Sequence, residues 1–324
     1  MKAIKITNYG DASVLKLSET EPMPIPGPEQ VLVRIHAAGL NFVDIYQRQG
    51  SYPVPLPYIP GLEGAGTVED VGANVKGVRR GARVAYTGQL GSYSEYLAVD
   101  AVKLIPAPNS MSFEQAAAVP LQGMTAHYLI NDYRKPTKGD VVLIHAAAGG
   151  VGLLLVQWAK HLGATVIGTV STEDKARIAS EAGADHVILY TQQDFAAETK
   201  RITEGRGAQL VLDGVSKTTF KGSLEAAAKF GHVVIFGAAS GAADPMVPNS
   251  LMPKSLTVSG GTLFNSAATR QDIARRSKEV LNGIAKGWLK LNVSQVFPLV
   301  EADKAHRLLE SRQSTGKLIL RVVG

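Results

Sequence analysis

The chain has 324 residues, of which 45% are hydrophobic and 19% charged, a balance typical of a globular protein with room for two hydrophobic cores. Lysines and arginines exceed aspartates and glutamates by 34 − 28 = 6, but the basic residues are scattered and run no further than pairs such as Arg79 and Arg80, so a nucleic-acid partner is not favoured. The absence of cysteine excludes disulfides, thiolate nucleophiles and thiolate zinc sites.

The N-terminal segment predicts a strand and no targeting signal. Residues 1–6 alternate between apolar and polar side chains and lack the apolar core of a signal peptide. No stretch of about 18 uncharged apolar residues is present to predict a membrane span. We therefore expect a cytoplasmic protein with no membrane partner.

The first 120 residues predict a β-rich unit. Short alternating runs, such as 31–35 and 81–86, are interrupted often by glycine and proline. Prolines at 53, 55, 57 and 60 alternate with apolar residues, which favours a packed loop over a linker. Short alternating runs separated by turn residues are typical of a barrel-like or sandwich-like domain.

From residue 141 the pattern changes to alternating strands and helices. Residues 141–144 form a continuous apolar run, as expected for a strand that is buried on both faces. The predicted strands are 141–144, 166–170, 186–189, 210–212 and 233–236, and the predicted helices are 151–162, 173–182 and 217–229. Helices near 269–286 and 302–311 and a closing strand at 318–320 follow. The alternation predicts a doubly wound parallel sheet.

A glycine-rich turn follows the first strand of this sheet. Residues 147–152 read A-x-G-x-x-G, a variant of the dinucleotide-binding fingerprint. Small residues let the backbone approach a pyrophosphate, and the N-terminus of the next helix offers amides and a positive dipole. Because a strand precedes the turn and a helix follows it, we predict dinucleotide binding, with a purely structural turn as the alternative.

The end of the second strand favours NADPH over NADH. An NAD site carries an acidic residue there, whereas this strand ends at Val170 and Ser171, with Lys175 on the next helix. A hydroxyl and a cation suit a 2′-phosphate. Glu173 and Asp174 are better explained as stabilising the helix N-terminus. The alternative is that Lys175 is only a solvated helix residue.

Around Asn41 and Gly61 the sequence resembles the medium-chain dehydrogenase/reductase superfamily. The zinc alcohol dehydrogenases of that superfamily carry a histidine where this chain has Leu62 and a cysteine near residues 39–41, and both are absent. The seven histidines show no metal-ligand spacing, so we expect no metal. With residues 39–53, 146–152, 157–160 and 316–318, the chain is similar to the zinc-free quinone oxidoreductases, the zeta-crystallin-like group.

The resemblance implies a fold and a set of site residues. The fold is α/β, with a Rossmann domain at 125–264 and a GroES-like, partly open barrel domain at 1–124 and 265–324. It implies that the catalytic residues Tyr46, Tyr52 and Asn41 border the nicotinamide and substrate cleft. Packing for the tyrosines and a turn amide for Asn41 are the alternatives. The predicted cofactor-binding residues are Asn41, Tyr46, Thr125, Ala148, Gly149, Gly150, Val151, Ser171, Lys175, Tyr190, Phe236, Gly237, Ala238, Thr262, Leu263, Phe264 and Lys317.

The expected activity is reduction of a quinone or related conjugated carbonyl by NADPH without zinc. Tyrosines would supply flat walls and hydroxyl donors for the developing oxygen charge. Two alternatives remain open: an NADPH-dependent reductase of enoyl or alkenal double bonds, and a non-catalytic NADPH- and RNA-binding protein. The family resemblance also predicts a homodimer that pairs through a sheet edge near residues 256–261.

Overall fold

The computed structural model describes residues 1–322. The strands are Ala3–Lys5 (β1), Lys16–Ser18 (β2), Gln30–Gly39 (β3), Glu63–Val71 (β4), Arg83–Thr87 (β5), Tyr96–Asp100 (β6), Leu104–Pro106 (β7), Val141–His145 (β8), Thr165–Val170 (β9), His186–Leu189 (β10), Ala208–Asp213 (β11), Ala227–Ile235 (β12), Thr257–Gly260 (β13), Val293–Pro298 (β14) and Lys317–Arg321 (β15). The helices are Phe42–Arg48 (α1), Phe113–Ala117 (α2), Pro120–Tyr128 (α3), Gly150–His161 (α4), Glu173–Glu181 (α5), Phe195–Ile202 (α6), Phe220–Ala226 (α7), Leu263–Ser266 (α8), Arg270–Ala285 (α9) and Ala302–Glu310 (α10).

The chain divides into two compact units. Unit 1 contains residues 1–123, 267–278 and those from 291 on, and unit 2 contains residues 124–266 and 279–290. The domain limits expected from the sequence, 1–124 with 265–324 and 125–264, remain a proposal.

Unit 1 is built on a seven-stranded sheet in the order β14-β15-β3-β4-β5-β7, with β6 also paired to β3. Its pairings are antiparallel except for the parallel pair β14–β15. Along β3, Val31, Val33 and Ile35 are fully buried and the residues between them are half-buried. This two-residue alternation is the one that the sequence shows, and it covers one face of the sheet with a hydrophobic core.

Unit 2 contains a six-stranded parallel sheet in the order β10-β9-β8-β11-β12-β13. The chain leaves β8 in one direction to β9 and β10 and then returns to β11 on the other side of β8. That reversal is a topological switch point, beside which ligands of open α/β sheets bind at the carboxyl ends of the strands. The turn that follows β8 therefore lies where a ligand of such a sheet is expected to bind.

One predicted helix has the wrong limits. The sequence predicted a helix over 217–229, whereas α7 covers Phe220–Ala226 and the chain from Ala227 belongs to β12. Ala227 pairs with Ala208 of β11, so sheet pairing overrides the helical preference of the two alanines at 227 and 228. Within residues 1–322, no helix combines the length and apolar character needed to cross a membrane.

Candidate functional site

The turn after β8 forms the N-terminus of α4. Ala146 adopts a left-handed conformation with φ of 51°, and the Gly149 amide donates to its carbonyl at 2.9 Å. Gly149 is the N-cap residue of α4 and has no side chain to occupy the first-turn amides, and the first turn carries no acidic residue. A twelve-residue helix whose first amides face no side-chain acceptor of their own is suited to bind an anion.

The close packing of this turn depends on Gly152. A Cβ at Gly152 would lie 2.2 Å from the Ala146 carbonyl oxygen and 2.9 Å from the carbonyl carbon of Ala147. Both contacts are with backbone, so only glycine lets α4 begin this close to the strand end. The predicted cofactor residues Ala148, Gly149, Gly150 and Val151 all lie in this segment.

Ser171 and Tyr190 lie side by side at the same edge of the sheet. Each follows directly on its strand, β9 and β10 respectively, and the ends of those strands pair through Val170 and Leu189. The Tyr190 amide donates to the Val170 carbonyl at 3.1 Å, and the Thr191 hydroxyl donates to the Ser171 carbonyl at 3.1 Å. The fold thus brings together a serine and a half-exposed tyrosine that are 19 positions apart.

Lys175 is the basic residue nearest to this pair along the chain. It lies in the first turn of α5, whose N-cap Thr172 accepts from the Lys175 amide. Partial burial lowers the pKa of its ammonium group. Arg177, the other cation of this helix, forms an ion pair with Glu181 at 2.9 Å. Glu173 and Asp174 occupy the first turn, as expected for acidic residues that stabilise a helix N-terminus.

Apart from Thr125, the remaining predicted residues of unit 2 also follow strand ends. Phe236, Gly237 and Ala238 follow β12, and Thr262, Leu263 and Phe264 follow its parallel neighbour β13. Gly237 approaches the next strand end closely, since a Cβ there would lie 2.8 Å from the Gly214 carbonyl oxygen. Thr125 is buried in α3.

A buried polar network beneath the glycine turn was not foreseen from the sequence. The His145 ring, at the end of β8, contacts the Thr169 hydroxyl at 2.9 Å and the Ser223 hydroxyl at 3.0 Å. Ser223 donates to Asp213 at 2.8 Å, and Asp213 also accepts from the amides of Val215 and Ser216. The network fixes the turns after β8 and β11, and its residues come from four separate elements.

In unit 1, helix α1 carries two of the predicted catalytic residues. Asn41 is its N-cap, and its backbone amide donates to the Asp44 carboxylate at 2.8 Å. Tyr46 lies on the helix, and Tyr52 lies beyond it with 54% of its surface exposed. Their ring centroids are 5.3 Å apart in an edge-to-face arrangement. The two phenols therefore form one aromatic surface with both hydroxyls on the same short segment.

Asn41 also belongs to a buried charged cluster. The Lys317 ammonium contacts the Glu63 carboxylate at 2.5 Å and the Asn41 side-chain oxygen at 2.8 Å. The Asn41 amide donates to the same Glu63 oxygen at 3.0 Å and to the Gly39 carbonyl at 3.2 Å. The other Glu63 oxygen accepts from the Leu121 amide. Neither charge is solvated, so each neutralises the other.

The hydrogen bonds already formed within this cluster determine which donors and acceptors remain for a ligand. Both Asn41 amide hydrogens are engaged, which leaves its side-chain oxygen with one lone pair and suits it to accept from a ligand N–H. An ammonium has three hydrogens, and the contacts with Asn41 and Glu63 use two of those on Lys317. The cluster therefore offers one acceptor, on Asn41, while the Lys317 ammonium lies buried behind it.

Glu63 and the cluster around it were only partly visible in the sequence. The partner of Glu63 could not be identified from the sequence, because Lys317 is 254 positions away. Over residues 1–322, no group of three or more histidine, aspartate and glutamate side chains is arranged to hold a metal ion.

Two family models match parts of the chain. A model described as "Alcohol dehydrogenase GroES-like domain" matches residues 27–109, and one described as "Zinc-binding dehydrogenase" matches residues 150–278. The fold is that of the medium-chain dehydrogenase/reductases, a GroES-like domain with a Rossmann domain.

Relatives match over nearly the whole length. A quinone oxidoreductase of Pseudomonas aeruginosa is 42% identical, with 98% of this chain and 99% of the relative covered. A 2-haloacrylate reductase of a Burkholderia species is 41% identical, with 91% of each covered. The crystal structure of Escherichia coli quinone oxidoreductase in complex with NADPH matches with a TM-score of 0.96 at 39% identity, covering 99% of this chain and 100% of that one.

Proposed function

The chain belongs to the quinone oxidoreductase family of the medium-chain dehydrogenase/reductases, and from this premise we propose that it is an NADPH-dependent reductase of quinones. The observation that carries the proposal is the anion-binding turn at the head of α4, combined with a strand end that places Ser171 beside Tyr190. The similar Escherichia coli enzyme, solved with NADPH, supports the same cofactor.

The residues of unit 2 fit this cofactor. The backbone at 148–151 and the N-terminus of α4 would bind the pyrophosphate, since a side chain at Gly152 would fill the space that the turn needs. Ser171, Lys175 and Tyr190 would bind the 2′-phosphate, for which a cation and hydroxyl donors are the fitting partners. When bound, NADPH supplies the hydride that reduces the substrate.

Unit 1 would supply the polar groups of the reaction. We assign Tyr46 and Tyr52 as hydroxyl donors to the oxygen on which negative charge develops. Asn41 acts as an acceptor for a ligand N–H, because both of its own amide hydrogens are already used. Lys317, buried beside Glu63, donates to the Asn41 side-chain oxygen and thereby fixes the orientation of that amide.

NADPH oxidation with matched acceptors tests the proposal. We expect the purified enzyme to oxidise NADPH rapidly with a benzoquinone, more slowly with an enoyl thioester, and to prefer NADPH over NADH. Rates should be unchanged after dialysis against a chelator. No quinone-dependent oxidation of NADPH, or activity that is lost on chelation and returns with zinc, would contradict it.

Reduction of a conjugated carbonyl other than a quinone is the second candidate. The Burkholderia relative at 41% identity is named for a 2-haloacrylate substrate, an acid whose double bond is conjugated to the carboxyl group. A higher kcat/KM with 2-chloroacrylate than with benzoquinone would favour this activity. Both reactions need the same donors near the substrate oxygen.

The two tyrosines give a direct test of the catalytic assignment. Replacing Tyr46 and Tyr52 together by phenylalanine removes both hydroxyls and keeps the ring pair, so we expect kcat to fall roughly 10- to 100-fold. The dissociation constant for NADPH, measured by calorimetry, should stay within about twofold because the phosphate ligands proposed above lie in unit 2. Unchanged steady-state kinetics in the double variant would reject the role.

Tyr58→Phe is the matched control for this variant. Tyr58 is buried in the same unit, and its hydroxyl has no hydrogen-bond partner among the residues that the structure describes. The control loses one hydroxyl without losing a contact, so its kinetics should equal those of the wild type.

We also propose that two copies of the chain pair through β13. This strand is the edge of the parallel sheet, with β12 as its partner and Thr257 and Gly260 exposed. Val247 and Met252, just before the strand, are exposed apolar residues. An open edge flanked by apolar side chains favours pairing with a second copy. Sedimentation should give twice the chain mass of 34.3 kDa, and a monomer mass would exclude the dimer. The cytoplasmic location and the absence of an RNA partner stay predictions.

A further inference from the structure

Helix α1 is held at its C-terminal end by a fully buried arginine. Arg48 has no exposed surface, and its guanidinium forms hydrogen bonds with three other residues. Nε donates to the Gly10 carbonyl at 3.2 Å, Nη1 contacts His306 Nδ1 at 3.1 Å, and the Glu310 carboxylate accepts from both terminal nitrogens at 3.1 and 2.5 Å. Gly10, His306 and Glu310 are far from α1 in sequence.

The hydrogen bonds continue from Arg48 to the other end of α1. The His306 ring contacts the Tyr93 hydroxyl through Nε2 at 3.1 Å, and that hydroxyl donates to Asp44 Oδ2 at 3.4 Å. The same carboxylate oxygen accepts from the Asn41 amide at 2.8 Å. We call Arg48, His306, Tyr93 and Asp44 the α1 anchor, since the series begins and ends on this helix.

The donors in the α1 anchor all point the same way. A guanidinium has only donors, so His306 Nδ1 must be the acceptor. The ring N–H is then on Nε2 and donates a hydrogen bond to the Tyr93 oxygen. Burial, with the charge of Arg48, lowers the pKa of His306 to about 3, so the ring stays neutral. The Tyr93 hydroxyl donates to Asp44. Each residue of the α1 anchor therefore donates a hydrogen bond to the next one, from Arg48 to Asp44.

Proton conduction is excluded for this series. A relay would need its first member to release and regain a proton, and the guanidinium of Arg48 does not deprotonate in proteins. The Asp44 carboxyl and Tyr93 are also fully buried, so neither can meet a substrate directly. What the α1 anchor can do is fix geometry.

We propose that the α1 anchor is a positioning device that sets the location of Asn41 and Tyr46 for the quinone reduction proposed above, on which this inference rests. The helix has seven residues, too few to be stable alone, so its place depends on tertiary contacts. Near its first turn Asp44 accepts from the Tyr93 hydroxyl, and its last residue, Arg48, is bound by His306 and Glu310. With both ends fixed, the helix cannot slide or rotate without breaking a buried bond.

The ionisation of Asp44 adds a second readout. Burial, helped by Glu63, raises the pKa of this carboxyl to about 7 against the opposing effects of the Asn41 amide, Lys317 and Tyr93. Burial, and to a smaller extent the Asp44 carboxylate, raises the pKa of the neighbouring Tyr58 to about 12. Below pH about 7 the carboxyl gains a proton and accepts less strongly from Asn41 and Tyr93, so kcat should fall on the acid side.

A Tyr93→Phe variant tests the proposal because it removes the central hydroxyl and keeps the ring. We expect kcat with benzoquinone to fall roughly 10- to 100-fold, as for a misplaced catalytic group. The NADPH dissociation constant should stay within about twofold. Because Tyr93 lowers the pKa of Asp44, the acid limb of the kcat profile should move to higher pH. Tyr58→Phe is the matched control and should change none of these.

Asp44→Asn is the second variant, for use if Tyr93→Phe does not fold. An amide does not titrate in this range, so kcat should be low and the acid limb absent. A folded Tyr93→Phe variant with wild-type kcat and an unmoved acid limb overturns the proposal, as does Asp44→Asn with an unchanged pH profile. A wild-type enzyme that oxidises no NADPH with any quinone overturns both proposals, whereas an active wild type with an equally active Tyr93→Phe overturns only this one.

Discussion

Replacing Lys317 by methionine is expected to lower the free energy of unfolding by about 3–5 kcal/mol, because it leaves the Glu63 carboxylate buried without its cation. Glu63 has no exposed surface, and the side chain of Lys317 is 2% exposed. Methionine keeps the length and the apolar stem, so the lost charge dominates the effect. Urea denaturation of both proteins at neutral pH measures the difference.

Two further variants separate burial from simple loss of an ion pair. Lys304 forms an ion pair with Glu301 at 2.6 Å, but its side chain is 62% exposed, so Lys304→Met should lower the free energy of unfolding far less than Lys317→Met does. A Lys317→Met, Glu63→Gln double variant should recover part of the lost stability, since no charge then remains buried and the glutamine oxygen can still accept a hydrogen bond. Equal losses for Lys317→Met and Lys304→Met would refute the argument.

Gly152→Ala is expected to weaken NADPH binding by roughly 100-fold, which corresponds to about 2.7 kcal/mol. The added Cβ would lie 2.2 Å from the Ala146 carbonyl oxygen, so α4 must move away from the strand end and carry its first amides with it. Calorimetric titration with NADPH measures the loss, and far-ultraviolet circular dichroism checks that the variant is folded.

The size of the clash should order the effects of two other glycine variants. Gly149→Ala meets the Ala146 carbonyl oxygen at 3.2 Å and should weaken binding by a smaller factor. Gly27→Ala in unit 1 meets only a flexible Gln30 side chain at 3.4 Å and should bind NADPH as the wild type does. A folded Gly152→Ala variant with unchanged affinity would mean that the turn does not bind the pyrophosphate.

The strand and helix that carry the glycine turn could be predicted because their signals are local. An apolar run at 141–144, small residues at the turn and an apolar helix after it require only neighbours in sequence to be recognised. The structure places β8 at Val141–His145 and α4 at Gly150–His161, close to the predicted limits. The closing strand predicted at 318–320 lies within β15 in the same way.

The limits of α7 could not be predicted because distant contacts set them. Ser216 adopts a positive φ of 76°, and the Asp213 carboxylate accepts from its amide and from the Thr219 hydroxyl, so the chain is still in a turn where the sequence predicted helix. At the other end, pairing with β11 draws Ala227 into the sheet. Both events depend on β11, which the local pattern of 217–229 does not contain.

The sequence by itself determined the α/β organisation, the glycine-rich turn at the start of α4 and the lack of any thiol ligand, because composition and short-range spacing suffice for these. Only the tertiary structure decided that Glu63 is paired with Lys317, and that Arg48 and Asp44 are joined through His306 and Tyr93. A buried charge must find its partner wherever the fold brings one. Lys317 is 254 positions from Glu63 and His306 is 258 from Arg48, and no periodicity in the chain connects residues that far apart.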